Sequence, residues 1–153
     1  MLKGLVADTT EIMRVTGLVP SKICYYASQG WKWDAYIKTM SILEADTDPK
    51  HLIREAMKDP AIRSKGGDAA KFIGTASQCI VTMPKEERQR LLSSPHIDEL
   101  AIINAAIPFL SRNFKCTVEA YSGDAPAFDP KKKSAQAGPL RPAIYVEGSS
   151  CSP

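Results

Sequence analysis

What this 153-residue sequence lacks narrows its reading first. It has two histidines, His51 and His96, each beside a proline-marked helix start. Neither pairs with a cysteine or carboxylate at metal-ligand spacing, so no metal centre is expected and surface histidines are the plainer reading. The four cysteines, Cys24, Cys79, Cys116 and Cys151, show no C-x-x-C spacing, and three of them sit in apolar segments. That excludes a disulfide framework and reads Cys24, Cys79 and Cys116 as small buried hydrophobes. No apolar run approaches the roughly 18 residues of a membrane span and no secretory leader is apparent, so no membrane partner and a cytoplasmic location are expected. No GxxxxGK[ST], GxGxxG or nucleophile elbow occurs; Gly66-Gly67 reads as a plain turn before a helix. The acid pairs Glu86-Glu87 and Asp98-Glu99 fall in first helical turns, where they complement the helix dipole without any catalytic role. Nothing assembles a catalyst, and no cofactor is expected on this chain.

What is present is ordinary for one folded domain: 44% hydrophobic and 24% charged residues, with a net charge of +3. A chain of this size buries enough surface to fold without staples. Asp8, Thr9 or Thr10 is positioned to cap a short helix carrying Ile12 and Met13, which Gly17 ends. Val19-Pro20-Ser21 breaks the chain, and the β-branched and aromatic run Lys22 to Ser28 reads as a first strand. Trp31 to Leu43 has helical period, with Trp33, Tyr36, Ile37 and Met40 on one stripe. Asp48-Pro49 starts another helix, with Leu52, Ile53, Ala56 and Met57 inward, and Asp59-Pro60 closes it.

Asp68 caps a helix to about Thr82, with Ala69, Phe72, Ile73, Ala76 and Ile80 inward. Pro84 opens a short charged helix, and Pro95-His96 interrupts the chain. Asp98 to Asn113 is the most apolar helix, with Leu100, Ile103, Ala106, Ile107 and Leu110 at core spacing; Pro108 is expected to kink or divide it. Lys115 to Tyr121 alternates as a second strand, residues 122–141 form a loop, and Pro142 to Glu147 is a third strand at a sheet edge. The fold class is therefore α+β: a small three-stranded sheet with several helices packed on it and a short helical lead-in.

The basic residues supply the functional hint. Lys50, Arg54 and Lys58 recur every four residues and form a positive ridge, to which Arg63, Lys65 and Lys71 add. The loop contributes Lys131, Lys132 and Lys133. Such groups suit phosphates, through contacts that weaken with salt and carry little sequence information. Trp31 and Trp33 are the residues able to stack on bases, although Trp33 falls on the core stripe.

Three segments carry a family resemblance. The stretch EIMRVTGLVPSKICYYASQGWKWDAYIKTM, with Val15-Thr16, Pro20-Ser21-Lys22, the aromatic strand and Trp31-Lys32, is similar to the entry into the C-terminal domain of archaeal/eukaryotic-type leucyl-tRNA synthetases. The stretch IREAMKDPAIRSKGGDAAKFI resembles a second family segment at Met57, Asp59-Pro60, Ile62, Arg63, Gly66, Asp68, Ala70 and Lys71. The third, GPLRPAIYVE, looks like the family's terminus. The family's HIGH and KMSKS motifs and its editing domain have no counterpart here.

The resemblance implies a parent class I ligase that activates leucine with ATP and magnesium and esterifies it to tRNA-Leu. It also implies that this region contacts the long variable arm of that tRNA and adjoins the rest of the synthetase chain. Residues 1–17 are then the end of the anticodon-binding helical domain or a linker, 18–147 the C-terminal tRNA-binding domain, and 148–153 a mobile tail. By the same match Tyr145, Val146 and Glu147 are the residues nearest the bases. Arg141 and Lys131 to Lys133 are added for the phosphate backbone on charge alone. The six residues after Glu147 depart from the family pattern. A docking module for other synthetase-complex components is the competing expectation.

Overall fold

The computed structural model describes residues 1–45, 48–93 and 97–150, and its chain divides into two units. The first combines residues 1–29 with 98–153 and the second is residues 30–97.

The first unit is built on a mixed sheet of order β2-β1-β3, with β1 Leu18–Tyr26, β2 Thr117–Tyr121 and β3 Ala143–Ser150. β1 pairs in parallel with β2, Lys22 opposite Thr117 through Tyr26 opposite Tyr121. It pairs antiparallel with β3, from Tyr26 opposite Ala143 to Leu18 opposite Ser150. The third strand lies at an edge as expected, and the α+β class with its three strands is the one the sequence indicated.

Strand alternation gives the sheet two dissimilar faces. Ile23, Tyr25 and Val118 face the helices α1 Leu2–Thr16 and α7 Glu99–Phe114, packing with Leu5, Ile103 and Leu110. Cys24 and Tyr26 point the other way, beside Tyr145 and Ala143 of β3, and cluster there with Ala137 and Phe128 of the loop. The helix face carries one buried polar pair. Thr9 Oγ1 donates to the Leu5 carbonyl at 2.7 Å and is 2.9 Å from the Tyr25 hydroxyl, so both groups are satisfied inside the core.

The loop that covers the second face is pinned at both ends. The Tyr26 hydroxyl donates to the Phe128 carbonyl at 2.6 Å. Glu99, only 3% exposed, takes a hydrogen bond from the Ser28 amide at 3.1 Å and another from the Leu140 amide. Leu140 is a non-glycine residue at φ 61, a conformation held by its surroundings rather than favoured by its side chain.

The second unit is helical: α2 Gly30–Ala45, α3 Pro49–Ala56, α4 Pro60–Arg63, α5 Gly67–Thr82 and α6 Lys85–Ser93. Asp48 and Asp59 cap α3 and α4 through carboxylates that accept the Lys50 and Ala61 amides, each one residue beyond a proline at the first helical position. Its core includes Met40, Leu52, Ile62, Ile73 and Ile80.

Several expectations need correction. α1 starts at Leu2, well before the capping residues expected at Asp8 to Thr10, and packs in the same unit as the sheet; the two units join at 29/30 and 97/98. β1 begins at Leu18 and runs through Pro20, because the pairing register shifts between Pro20 and Lys22 and leaves Ser21 as an extra residue. A bulge is one of the few strand positions that tolerates proline. β3 runs past Glu147, through Gly148 to Ser150, while Cys151 to Pro153 lie outside the described residues.

Pro108 neither breaks nor divides α7, which is one helix from Glu99 to Phe114. Cys79 is exposed, since it stands off the Ala69-Ile73-Ala76-Ile80 stripe, and Ile53 is also on the outer side of α3. The interruption at Pro95-His96 lies outside the described residues. Among the described residues no helix is long and apolar enough to cross a membrane.

Two outcomes test this architecture. A Cβ on Gly148 would sit 2.1 Å from the Val19 carbonyl oxygen and 2.9 Å from its carbon, both backbone atoms. Gly148→Ala is therefore expected to destabilise by roughly 1–3 kcal/mol, read as a lower midpoint in urea unfolding. Glu99→Ala strands the Ser28 and Leu140 amides, at roughly 1–3 kcal/mol each. Hydrogen exchange should quicken at Leu140 well beyond its rate in Glu99→Gln, which keeps one acceptor.

Candidate nucleic-acid interface

The geometry of the edge strand decides which charged residues can act together. β3 is bonded to β1 along one side, and no strand covers its other side among the described residues. Its backbone there offers amides and carbonyls at strand spacing. Ile144, Tyr145 and Val146 line a cleft of about 490 Å³. The end of α1 and the start of β1 add Ile12, Thr16 and Leu18, and the loop adds Lys131 and Lys133. The cleft thus joins an apolar floor, a strand edge and two cations.

The lysines are held by a turn rather than by a free loop. The Asp129 carboxylate accepts the Lys133 amide at 2.7 Å on one oxygen and the Ser134 amide at 3.0 Å on the other. A short 3-10 turn, Lys133–Gln136, follows, with Lys132 in the left-handed region at φ 52. Burial pushes the Asp129 carboxyl up, and the Ser134 hydroxyl together with the Ser134 and Lys133 amides outweighs it, holding the pKa below its ordinary value. With Lys132 in that conformation, Lys131 and Lys133 line the cleft and Lys132 does not.

Four of the seven expected site residues therefore meet at one place: Lys131, Lys133, Tyr145 and Val146. Val146 packs its side chain among the hydrophobics of the helix-facing layer, so anything it offers a ligand comes from its backbone. Tyr145 lies on the loop-facing side, its ring centroid 6.2 Å from that of Phe128. Glu147 is exposed and pairs with Lys22 in register; its carbonyl accepts the Ser21 hydroxyl at 3.1 Å, and it does not line the cleft. Arg141 is also outside it, exposed and closing a small bridge with Gly138 through backbone bonds of 2.8 and 3.0 Å.

A second polar cluster, which sequence reasoning missed, sits on the loop-facing side of the sheet. Lys22 Nζ is 3.0 Å from Glu119 Oε2 and 4.2 Å from the centre of the Phe128 ring. The Tyr121 hydroxyl also donates to Glu119. The Tyr121 bond and then Lys22 lower the Glu119 pKa, and Glu119 in turn raises those of Lys22 and Tyr121. The alternation of Lys115 to Tyr121 places Glu119 and Tyr121 together, but nothing local joins them to Lys22. Among the described residues no group of three or more histidine, cysteine or acidic side chains could hold a metal ion.

The chain matches no family model. It is similar to curated proteins named leucine–tRNA ligase. That of Methanosarcina barkeri is 40% identical over 152 residues, covering 97% of this chain and 15% of that protein. That of Methanococcoides burtonii is 37% identical over 148 residues, covering 96% and 15%. A more distant relative from Pyrococcus abyssi is 29% identical over 147 residues, covering 95% of this chain and 13% of the relative. The chain thus spans about 15% of the length of these curated relatives.

Asp129→Ala tests the turn that carries the lysines. It should speed hydrogen exchange at the Lys133 and Ser134 amides and leave the β1 amides from Ile23 to Tyr26 protected. Equal loss of protection in β1 would mean that Asp129 supports the whole unit instead of the turn.

Proposed function

We propose, from the premise that the chain belongs to the leucyl-tRNA synthetases as one segment of them, that it is a non-catalytic tRNA-gripping region of a leucine–tRNA ligase. The whole ligase activates leucine with ATP and magnesium in its catalytic body and transfers it to tRNA-Leu. This segment's part is to hold the long variable arm of that tRNA.

The observation that supports this reading best is the cleft beside β3, where Lys131 and Lys133 flank a strand edge. Each half suits a different part of an RNA. Ammonium groups attract phosphates and fix the register of the strand without reading it. Backbone amides and carbonyls can pair with the exposed edges of unpaired bases, which is how single-stranded RNA is generally discriminated. Tyr145 adds an aromatic ring at the same strand.

A second reading, a surface that docks on other proteins, is favoured by α7. Its outer side carries Ile102 at 38% and Phe109 at 55% exposure, seven residues apart and so on one face. The two readings separate cleanly in kinetics. Lys131→Gln/Lys133→Gln in the complete ligase should raise KM for tRNA-Leu by about fivefold or more, about 1 kcal/mol, with kcat for leucylation and leucine-dependent ATP exchange little changed. Unchanged KM for the tRNA, with weakened association between this segment and other proteins in an Ile102→Ser/Phe109→Ser variant, would replace the RNA reading with the docking one.

A further inference from the structure

The helical unit has a cation–aromatic cluster that the cleft beside β3 does not use. Trp31, at the start of α2, stands edge-on to Phe72 of α5 with ring centroids 5.7 Å apart. Lys32 Nζ and Lys65 Nζ each lie 5.9 Å from the Trp31 ring centroid, and Lys32 Nζ is 6.0 Å from that of Phe72. All four residues lie within residues 30–97.

Two ammonium groups beside one indole repel each other, and the ring quadrupole offsets only part of that. Lys32 is 9% exposed, and burial lowers the pKa of its ammonium while Asp68 draws it back up. Arg63 at the end of α4, Lys65 in the turn after it and Lys71 in α5, next to Phe72 in sequence, are all exposed, and none is in an ion pair among the described residues. Of the acids on neighbouring elements, Asp59 caps α4, Glu55 is bonded to Lys58 at 2.5 Å, and Asp68, in the first turn of α5, is the one that acts on Lys32. Between the cations, Gly66 and Gly67 leave open space, with no atom within 4 Å of where a Cβ would stand. Exposed cations, a half-buried indole and an unobstructed backbone between them are the ingredients of a sequence-tolerant single-strand surface.

The geometry points to a second RNA contact in the helical unit, in which Arg63, Lys65 and Lys71 take phosphates of a single-stranded segment and Trp31 takes a base against its ring. It rests on the proposed reading that RNA is the partner, but it uses none of the residues of the β3 cleft. A nucleotide stacked there displaces the exposed Lys65 head from the ring and brings it a phosphate in exchange.

Tryptophan fluorescence of the full chain, titrated with a short single-stranded RNA oligonucleotide, tests this directly. Trp33 is buried, so Trp31 is the reporter. The oligonucleotide should quench the emission, and the quench should vanish in Trp31→Phe. In Arg63→Gln/Lys65→Gln/Lys71→Gln, whose changes are all at exposed positions, the salt dependence of binding should flatten by about 0.7 in the log–log slope for each phosphate left without its cation. Lys131→Gln/Lys133→Gln should leave the quench in place, so a failed β3 cleft and a failed Trp31 surface give different results. An undiminished salt slope in the triple variant overturns the proposal, whether or not Trp31→Phe folds. So does equal affinity and quenching with poly-glutamate, which would make this surface a docking site for acidic protein segments.

Discussion

One buried carboxylate connects the parts of the sheet unit that would otherwise be free to separate. Glu99 opens α7, yet its two oxygens reach away from the helix to the Ser28 amide at the end of β1 and to the Leu140 amide at the end of the long loop. The Leu140 amide belongs to a residue whose backbone would not favour its left-handed conformation unaided. Fixing Leu140 fixes the Gly138–Arg141 bridge and so the angle at which the chain re-enters β3. The carboxylate must be hydrogen-bonded to be tolerated at this depth, and two otherwise orphaned amides meet that demand. The same interaction therefore satisfies the acid, closes β1 and aims the edge strand. The lysine turn at Asp129 lies inside the segment thus tethered, between Tyr26 at one end and Glu99 at the other.

The strand order explains why the helical unit interrupts the sheet unit in sequence. A parallel pair such as β1 and β2 cannot be closed by a hairpin and needs a long crossover. Here the crossover is residues 27–116, and it contains the whole helical unit as well as α7. The sheet unit is thus made from the two ends of the chain, with β3 brought back antiparallel against β1 over more than a hundred residues of sequence separation. Such pairings are entropically late and slow to form. The helical unit, continuous in sequence and dominated by helices that follow one another directly, is under no such constraint.

Residues that act through local rules are legible in the sequence. Asp48-Pro49 and Asp59-Pro60 are helix starts on chemistry alone, because the carboxylate caps the next free amide and proline has none to lose. Asp59-Pro60 reads as an ending and is also a beginning. The apolar stripe of α5 and the aromatic β1 follow from period and side-chain type. What stays hidden depends on partners far away in sequence. Pro20 looks like a breaker until the bulge at Ser21 shows why the strand tolerates it. Gly148 looks like the start of a tail until Val19 is seen pressed against it. Glu99 looks like a dipole-complementing surface acid until two distant amides converge on it, and Ile53 and Cys79 look buried because stripes on short helices leave room for a misjudged neighbour. Of the site, the lysine run and Tyr145 are readable as types of residue. That Lys131 and Lys133 face the strand edge while Lys132 and Arg141 do not is set by a turn and a bridge that leave no periodic trace.

A cleft with two cations is a weak holder of RNA, and on the proposed reading that weakness has a physical rationale. Each exposed lysine–phosphate pair is screened at physiological salt and contributes little by itself. A segment tethered to a body that already grips the same tRNA meets its target at a high effective concentration, so a weak contact is enough to be occupied. Strong phosphate binding here would hold every RNA alike, because phosphates carry no identity. The discriminating element must then be the part of the cleft that is not charged: the edge of β3, whose amides and carbonyls are fixed in direction by the pairing with β1 and by the Glu99-anchored turn from which the chain enters the strand. Rigidity is what lets a few backbone hydrogen bonds reject a wrong base, since a flexible edge would adjust to it. The acid buried under the loop and the selectivity proposed for the edge are on this view the same constraint, met once by folding and used a second time by recognition.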